Sequence, residues 1–395
     1  MNPRAKNIAV FGSTGSIGVN ALRVIAAAPG CLRAVALSAH SNTELALTQA
    51  IEHRPLWLVI TDPRAAAAQD WSSLPPETEL LTGREQLEAV ISQGAASATR
   101  SERIDTVLAA IVGSAGLHST WAAVQAGMTV ALANKETLVL AGSLFMREAA
   151  KTGATILPVD SEHSAVFQCL QSGRRSELQR IILTASGGPF RNHTAEQLQS
   201  VTVDDALRHP NWQMGPKITI DSATMMNKAL EIIEARWLFD LQPEQIDVVI
   251  HPQSIVHSLV EFIDGSVIAQ LGPPDMKLPI QYALRYPERC EGIAPRLDFQ
   301  ETLRLDFSPP DHDRFPALEL GLEAARVGGT VGAVLNAANE AAVGQFLAGE
   351  LPFCDIVPAC RRIIEQHQFE SQPSLAQLLA IDGWARQEVT RWVHT

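Results

Sequence analysis

Short apolar runs alternate with amphipathic stretches through the first 160 residues of the chain. The runs at 8–11, 32–38, 57–61, 79–81, 106–112, 129–133 and 155–159 have strand length. Between most of them apolar positions recur at helical spacing, for example over 17–28, 43–53, 85–93, 118–126 and 143–152. Alternation of this kind predicts an α/β unit, a Rossmann-like doubly wound parallel sheet, with its ligand site at the carboxyl ends of the strands. From Thr106 to Asn134 there is no Asp, Glu, Lys or Arg, a length that could span a bilayer. Gly113-Ser114, Gly116, His118-Ser119-Thr120, Gln125 and Gly127 interrupt it, however. It reads as a buried strand, a helix and another buried strand, since parallel strands covered on both faces carry no charge.

The texture changes after residue 160. A helical pattern over 161–171 precedes a strand at 180–185, and an irregular stretch then carries Ser186-Gly187-Gly188-Pro189, His209-Pro210-Asn211-Trp212 and Met214-Gly215-Pro216. The pattern next predicts a strand over 217–221, a helix over 224–239 and strands over 246–250, 255–263 and 266–271, a central α+β domain. Pro287, Pro295, Pro309, Pro310 and Pro316 mark an extended connector. Helical spacing over 317–326, 333–347, 356–367, 374–380 and 383–393 predicts a C-terminal helical bundle. The expected organisation is therefore 1–160, 161–286, a connector at 287–316, and 317–395.

Composition narrows the function classes. A chain of 395 residues with 46% hydrophobic and 19% charged residues is an ordinary globular mixture, long enough for two or three domains. Its net charge of −12 repels nucleic acid and anionic membranes, so an anionic ligand needs a local pocket. The cysteines, at 31, 169, 290, 354 and 360, are odd in number and form no Cys-x-x-Cys. That argues against a disulfide framework or a structural zinc site and suits a reducing compartment. With no signal-peptide pattern at the start of the sequence, a cytoplasmic location is expected.

Candidate chemistry begins at Gly12-Ser13-Thr14-Gly15-Ser16-Ile17-Gly18, between the first strand and the first helix. A tight glycine turn at a helix N-terminus aims backbone N–H groups at a pyrophosphate, although the same glycines could simply close a βα unit. The second strand ends at Ala39-His40-Ser41-Asn42 with no Asp or Glu. An acid there would bind the 2′-hydroxyl of NAD, so its absence favours NADP.

Asp160-Ser161-Glu162 stands where a strand gives way to a helix. These residues could hold a ligand or merely cap the helix. Asp221-Ser222-Ala223-Thr224-Met225-Met226-Asn227-Lys228-Ala229-Leu230-Glu231 reads as a second strand end entering a helix. Ser222, Asn227 and Lys228 are donors suited to a phosphate, while Lys228 and Glu231 could equally be a solvated i, i+3 ion pair. If Glu231 faces Asp160 and Glu162, the all-oxygen set suits Mg²⁺ or Mn²⁺. His251 and His257 could form a rival metal pair but read better as sheet or interface histidines.

The motifs GSTGSIG, ANKE at 133–136, PVDSEH at 158–163, SGGPF at 186–190, HPNWQMG at 209–215, DSATMMNKALE at 221–231, IEARWLF at 233–239, HPQSIVHS at 251–258 and LNAANE at 335–340 occur in one order. Together they resemble the 1-deoxy-D-xylulose 5-phosphate reductoisomerase family over nearly the whole chain. The resemblance implies an NADP-binding domain, a catalytic domain, a C-terminal helical domain and a homodimer. It implies NADPH contacts from Thr14, Gly15, Ser16, Ile17, His40, Ser41, Asn42, Asn134, Glu136 and Gly215, and a divalent cation, Mg²⁺ or Mn²⁺, on Asp160, Glu162 and Glu231. Substrate contacts are implied for Lys135, Ser161, Glu162, Ser186, His209, Ser222, Asn227, Lys228 and Glu231. Lys135, Asp160, Glu162, His209 and Glu231 form the implied catalytic set. Trp212 and Met214 belong to an implied lid over the sugar and nicotinamide. At position 40 the family commonly has Gly, so the contacts around His40 depart from its pattern.

The implied reaction rearranges a ketose phosphate, by retro-aldol cleavage or by a ketol shift, and reduces the product with NADPH. Two rivals are a different NADP-dependent dehydrogenase without a metal requirement and a dinucleotide-sensing regulator. The first leaves the carboxylates without a use. The second wants a basic or partner-binding module, which the sequence does not show.

Overall fold

The computed structural model describes residues 5–99, 101–210, 212, 214–300 and 302–394. They form two compact units. The first comprises the chain up to Thr137, Phe145–Ser164 and Asp275–Pro295; the second comprises Leu138–Leu144, Ala165–Pro274 and the chain from Arg296 onward.

The first unit is built on seven parallel strands: β1 (Lys6–Phe11), β2 (Leu32–Ala39), β3 (Trp57–Ile60), β4 (Glu79–Thr82), β5 (Thr106–Ala109), β6 (Thr129–Leu132) and β7 (Thr155–Pro158). Each falls on a run expected from the sequence. Their order is β4-β3-β2-β1-β5-β6-β7. Connections leave β1 in opposite directions, so a crevice opens at the carboxyl ends of β1 and β5. Ile8, Ala9, Val10 and Phe11 are fully buried in the middle of this sheet. The uncharged stretch resolves into β5, helix Leu117–Gln125 and β6. Among the described residues no helix is long and apolar enough to cross a membrane.

Helix Lys277–Arg285 was not expected from the sequence. It packs in this unit against helix Ser16–Ala26 and strands β6 and β7. Pro279 hid it, yet a proline in the first helical turn removes an N–H that has no intrahelical acceptor.

The second unit holds β8 (Leu178–Ala185), β9 (Ile246–Ile250), β10 (Val256–Phe262) and β11 (Val267–Leu271), in the order β11-β10-β8-β9. Only β8 and β9 pair in parallel. Helix Met226–Leu238 lies on this sheet and against helix Ala317–Val327. There a Cβ added to Gly321 would stand 2.6 Å from the Ala229 Cα, so glycine sets the helix separation. Helix Val331–Leu347 is buried on nearly every side, which makes it the core helix of the C-terminal layer. It packs on helices Ile356–Gln366 and Leu375–Val393.

Three expectations are corrected. The strand expected at 217–221 is a helix, Pro216–Ala223. The β-branched alternation Ile218-Thr219-Ile220 suggested period two. Gly215 at the N-cap and Pro216 at the first position instead start a helix, whose Thr219, Ile220 and Asp221 are all buried. The two helices expected at 374–380 and 383–393 are one, because Gly383 is accommodated at a cost of only about 1 kcal/mol. Residues 275–295, expected to end the central domain and begin the connector, belong to the first unit, and the C-terminal helices share a unit with the central sheet.

Candidate active site

The turn after β1 is made by backbone. Gly12 has φ +85°, and a Cβ there would lie 2.5 Å from the Ala110 carbonyl oxygen at the end of β5. A Cβ on Gly18 would lie 2.3 Å from the Gly12 carbonyl oxygen, so the helix can start this close to the turn only with glycine. The turn is tied down from below. Ser13 Oγ donates to Gln49 Oε1 at 2.7 Å, and Gln49 Nε2 returns a bond to the Ser13 carbonyl at 2.9 Å. Gly12 N–H donates to Ser38 Oγ. Gly15 is the N-cap of helix Ser16–Ala26, and no side chain caps that end. Its first-turn N–H groups and positive dipole end are thus available to an anion beside Thr14, Gly15, Ser16 and Ile17. The cradle fits a dinucleotide pyrophosphate.

His40, Ser41 and Asn42 are exposed at the end of β2. His40 Nδ1 lies 3.0 Å from Thr61 Oγ1, and Asn42 Oδ1 accepts the Leu45 N–H as an N-cap. Asn134 is buried and committed to structure. Its Oδ1 caps helix Lys135–Thr152 by accepting the Thr137 N–H at 2.9 Å, and its Nδ2 donates to the carbonyls of Gly113 and Ile111. Any cofactor contact here therefore runs through the position it gives the neighbouring backbone. Glu136 is buried in the first turn of the same helix.

Two of the three proposed metal carboxylates, Asp160 and Glu231, each meet a lysine. In the first unit, Lys135 Nζ stands 2.6 Å from Asp160 Oδ2, both side chains being largely buried. Asp160 Oδ1 also accepts the Glu162 N–H as helix Ser161–Cys169 begins, and Ser161 Oγ donates to Glu162 Oε2. Capping and ligand-holding geometry thus coincide at the carboxyl end of β7. In the second unit, Glu231 is 1% exposed. It accepts from Lys228 Nζ and from Asn227 Nδ2 within helix Met226–Leu238. The alternative of a solvated ion pair at Lys228 and Glu231 is overturned, since both are buried. A buried carboxylate has to be compensated by positive charge. The donor set is oxygen only, which fits a hard divalent cation.

A second cluster in this unit is suited to phosphate. Gly187 and Gly188 have φ +80° and +64°, and a Cβ on Gly188 would lie 2.6 Å from the Ser222 carbonyl oxygen. The Ser186 loop therefore packs directly against the end of helix Pro216–Ala223. Met225, at φ 63°, breaks the chain between this helix and the next. That break replaces the strand end expected before Asn227. His209 Nδ1 accepts the Trp212 N–H at 2.9 Å, so in the neutral ring Nε2 carries the proton toward Ser186 Oγ at 3.2 Å. Burial, reinforced by the Arg191 charge, holds the His209 pKa below the ordinary imidazole value. Trp212 and Met214 are half-buried and Gly215 is exposed; Asn211 and Gln213 of the same motif lie outside the described residues.

Of the rival metal pair, His251 is committed to structure. His251 is fully buried, its Nδ1 is 2.9 Å from the Asp306 carbonyl and its Nε2 accepts from Ile255 and Val256 N–H, so both ring nitrogens are occupied. Sequence reasoning gave no role to Asp221 or Asn339. The Asn339 Nδ2 donates to Asp221 Oδ1 at 2.7 Å, and both are fully buried. The signal was a pair of asparagines, Asn336 and Asn339, among the buried positions of a helix that is otherwise mostly apolar.

A pyrophosphate cradle at the switch point of a parallel sheet, on a chain that also carries buried carboxylates and a phosphate-donor cluster, defines a dinucleotide-dependent oxidoreductase with a separate substrate domain. Comparison with known proteins gives the family. Family models described as 1-deoxy-D-xylulose 5-phosphate reductoisomerase, its C-terminal domain and the DXP reductoisomerase C-terminal domain match residues 8–142, 156–239 and 271–388. The chain belongs to the 1-deoxy-D-xylulose 5-phosphate reductoisomerase family. It is 51% identical over 391 residues to the reductoisomerase of Heliobacterium modesticaldum, covering 98% of this chain and 97% of that one. It is 47% identical to that of Methylobacillus flagellatus, covering 99% and 98%. A crystal structure of DOX-P reductoisomerase in complex with NADPH, fosmidomycin and magnesium superposes with a TM-score of 0.89 at 42% identity, covering 98% of each chain. The Zymomonas mobilis enzyme in complex with NADPH gives 0.89 at 40% identity, covering 99% and 100%.

Proposed function

We propose that this chain converts 1-deoxy-D-xylulose 5-phosphate to 2-C-methyl-D-erythritol 4-phosphate, a step in non-mevalonate isoprenoid precursor synthesis, with NADPH and Mg²⁺ or Mn²⁺. The observation that carries this is the run Asn227-Lys228-x-x-Glu231. It sets phosphate donors and a buried carboxylate on one helix face in a member of this family. Asp160, Glu162 and Glu231 hold the cation. When bound, the cation polarises the substrate carbonyl and neighbouring hydroxyl, and NADPH supplies the hydride.

The chain's own residues do the rest. Lys135 fixes the Asp160 carboxylate and contacts substrate together with Ser161 and Glu162. Ser186, Ser222, Asn227 and Lys228 anchor the phosphate, remote from the reacting carbons, so that binding energy is used for orientation. Neutral His209 holds the Trp212 backbone through Nδ1 while its Nε2–H faces Ser186 and the phosphate. Trp212 and Met214 cover the sugar and exclude water. Thr14, Gly15, Ser16, Ile17, His40, Ser41, Asn42, Asn134, Glu136 and Gly215 form the NADPH side. The enzyme works as a cytoplasmic homodimer, without nucleic-acid or membrane partners; light scattering of the purified chain checks the dimer.

NADPH oxidation with 1-deoxy-D-xylulose 5-phosphate, measured with Mg²⁺, with Mn²⁺ and after chelation, tests the proposal. Turnover that needs both the ketose phosphate and a divalent cation is expected. Metal-independent reduction of some other carbonyl would favour the generic dehydrogenase and overturn it.

A further inference from the structure

Helix Pro216–Ala223 bounds the phosphate cluster at both ends. Gly215 stands at its N-cap, following the His209–Trp212 segment, and Ser222 near its C-terminus packs against the Gly188 backbone. Its N-cap, Gly215, makes no side-chain cap. Its fixed point is internal. Asp221 is 0% exposed, and its Oδ1 accepts from Asn339 Nδ2 at 2.7 Å while its Oδ2 stands 2.8 Å from Lys217 Nζ. Asn339 is also 0% exposed and sits in the core helix Val331–Leu347. That helix packs on two further helices of the C-terminal layer. Arg386, from one of them, donates to Glu340, the residue after Asn339, at 2.7 Å.

We infer that Asp221 and Asn339 are positioning residues for the phosphate end of the substrate. They form a buried strut by which the C-terminal helical layer sets where Ser222 stands relative to Ser186. A polar link between two helices is directional where apolar packing is not, because the carboxylate and amide satisfy each other at one register only. A carboxylate is also costly to bury without its donors, so the helix cannot slide without stranding Asp221. The adjacent residue, Ser222, is thereby held at the Gly188 backbone. The inference rests on the assignment of Ser186, Ser222, Asn227 and Lys228 to phosphate. It gives the C-terminal layer, remote in sequence from that cluster, a part in substrate affinity.

Asn339→Ala tests it in the full-length chain. Val343→Ala is the comparison, since it removes buried volume from the same helix one turn further on but takes away no hydrogen-bond donor. Asn339→Ala is expected to raise KM for 1-deoxy-D-xylulose 5-phosphate about five- to tenfold, and to weaken competitive inhibition by inorganic phosphate by a similar factor. The kcat and the NADPH dissociation constant should stay within about twofold. Val343→Ala should lower the melting temperature comparably and leave the phosphate inhibition constant alone. Asp221→Asn keeps the shape and weakens the same contacts, so it should move the same constants in the same direction even if Asn339→Ala folds poorly. Equal shifts in Asn339→Ala and Val343→Ala, or no shift in phosphate inhibition in either strut variant, would overturn the strut. Wild-type turnover without inhibition by phosphate, or unchanged KM in Lys228→Ala, would instead remove the phosphate assignment on which it rests.

Discussion

The proposed cofactor turn and the proposed carboxylate–phosphate region are built by opposite means. After β1 the donors are backbone N–H groups, and glycine does the shaping: Gly12 for its positive φ, Gly18 for its close approach to the turn. Around Lys228 and Glu231 the groups are charged side chains taken out of water and neutralised by one another, with the half-buried Asn227 amide donating to the same carboxylate. Backbone sites tolerate side-chain change but not a Cβ in the wrong place. Buried ionic sites tolerate neither the loss of a partner nor a change of charge. The two regions should therefore fail differently on mutation.

The largest effect is expected from Glu231→Gln. It keeps the shape, removes a charged oxygen ligand and leaves the Lys228 ammonium buried opposite a neutral amide. Turnover should fall roughly 1000-fold, as for loss of a principal electrostatic group. NADPH binding, followed by its fluorescence, should change less than about threefold if the backbone site is independent. Near-normal turnover at saturating Mg²⁺ would take Glu231 out of the cation site.

Lys228→Ala comes next. A charge-assisted contact to phosphate is worth about 1.5–3 kcal/mol, or roughly ten- to 150-fold in kcat/KM. The loss should be confined to phosphate-bearing substrate. An equal loss for the dephosphorylated sugar would assign Lys228 to neutralising Glu231 alone.

On the backbone side, Gly18→Ala places a Cβ 2.3 Å from the Gly12 carbonyl. Overpacking of this kind costs about 1–3 kcal/mol. The expected signature is a lowered melting temperature and a raised KM for NADPH, with phosphate inhibition unchanged. Unaltered NADPH affinity would show that the turn relaxes freely and does not set the cofactor's position.

The same contrast explains what the sequence disclosed. The parallel sheet, the glycine turn and the capping Asp160 are local patterns, and each was legible from a few adjacent residues. The strand expected at 217–221 failed because Ile218-Thr219-Ile220 alternates like a strand, while the deciding facts are the Pro216 start and the burial of Asp221 against Asn339, 118 positions away. Helix Lys277–Arg285 was obscured by Pro279, and its stability comes from packing on helix Ser16–Ala26 and on strands β6 and β7. Which lysine neutralises which carboxylate could be guessed for Lys228 and Glu231, three residues apart. It could not be guessed for Lys135 and Asp160, which come from different elements.

His209 joins the two styles, a side chain whose role is to hold a backbone N–H. Burial lowers its pKa below the unfolded imidazole value, so folding favours the neutral ring. Above that unfolded value both states are neutral and nothing is lost. As pH falls through it, the unfolded chain takes up the proton first, and stability declines until the folded-state pKa is reached, below which the penalty is constant. Half-exposure keeps the effect to a fraction of a kcal/mol. His209→Asn removes the titrating group. Its melting temperature should lie below wild type at pH 7.5, and the gap should narrow toward pH 5.5. A gap independent of pH would mean that His209 does not titrate in this window.

The smallest effect is expected at His40, where a departure from the family pattern is expected from the sequence. The side chain is exposed, and its Nδ1 lies 3.0 Å from Thr61 Oγ1. Neither feature fixes the ring over a nucleotide. Exposed charge and hydrogen-bond contributions are screened by water, so His40→Gly should change the KM for NADPH by no more than about threefold. What remains at this position is the choice between NADPH and NADH, because the loop after β2 is where a 2′-phosphate is told from a 2′-hydroxyl. His40→Arg places a fixed positive charge and a planar fork there. It should raise the preference for NADPH over NADH several-fold through KM, and that gain should shrink as salt is added. If His40→Gly instead abolished the discrimination, this exposed ring would be the cofactor's principal phosphate ligand. The backbone turn would then serve only the pyrophosphate, and the two regions would share the reliance on single side chains that now separates them.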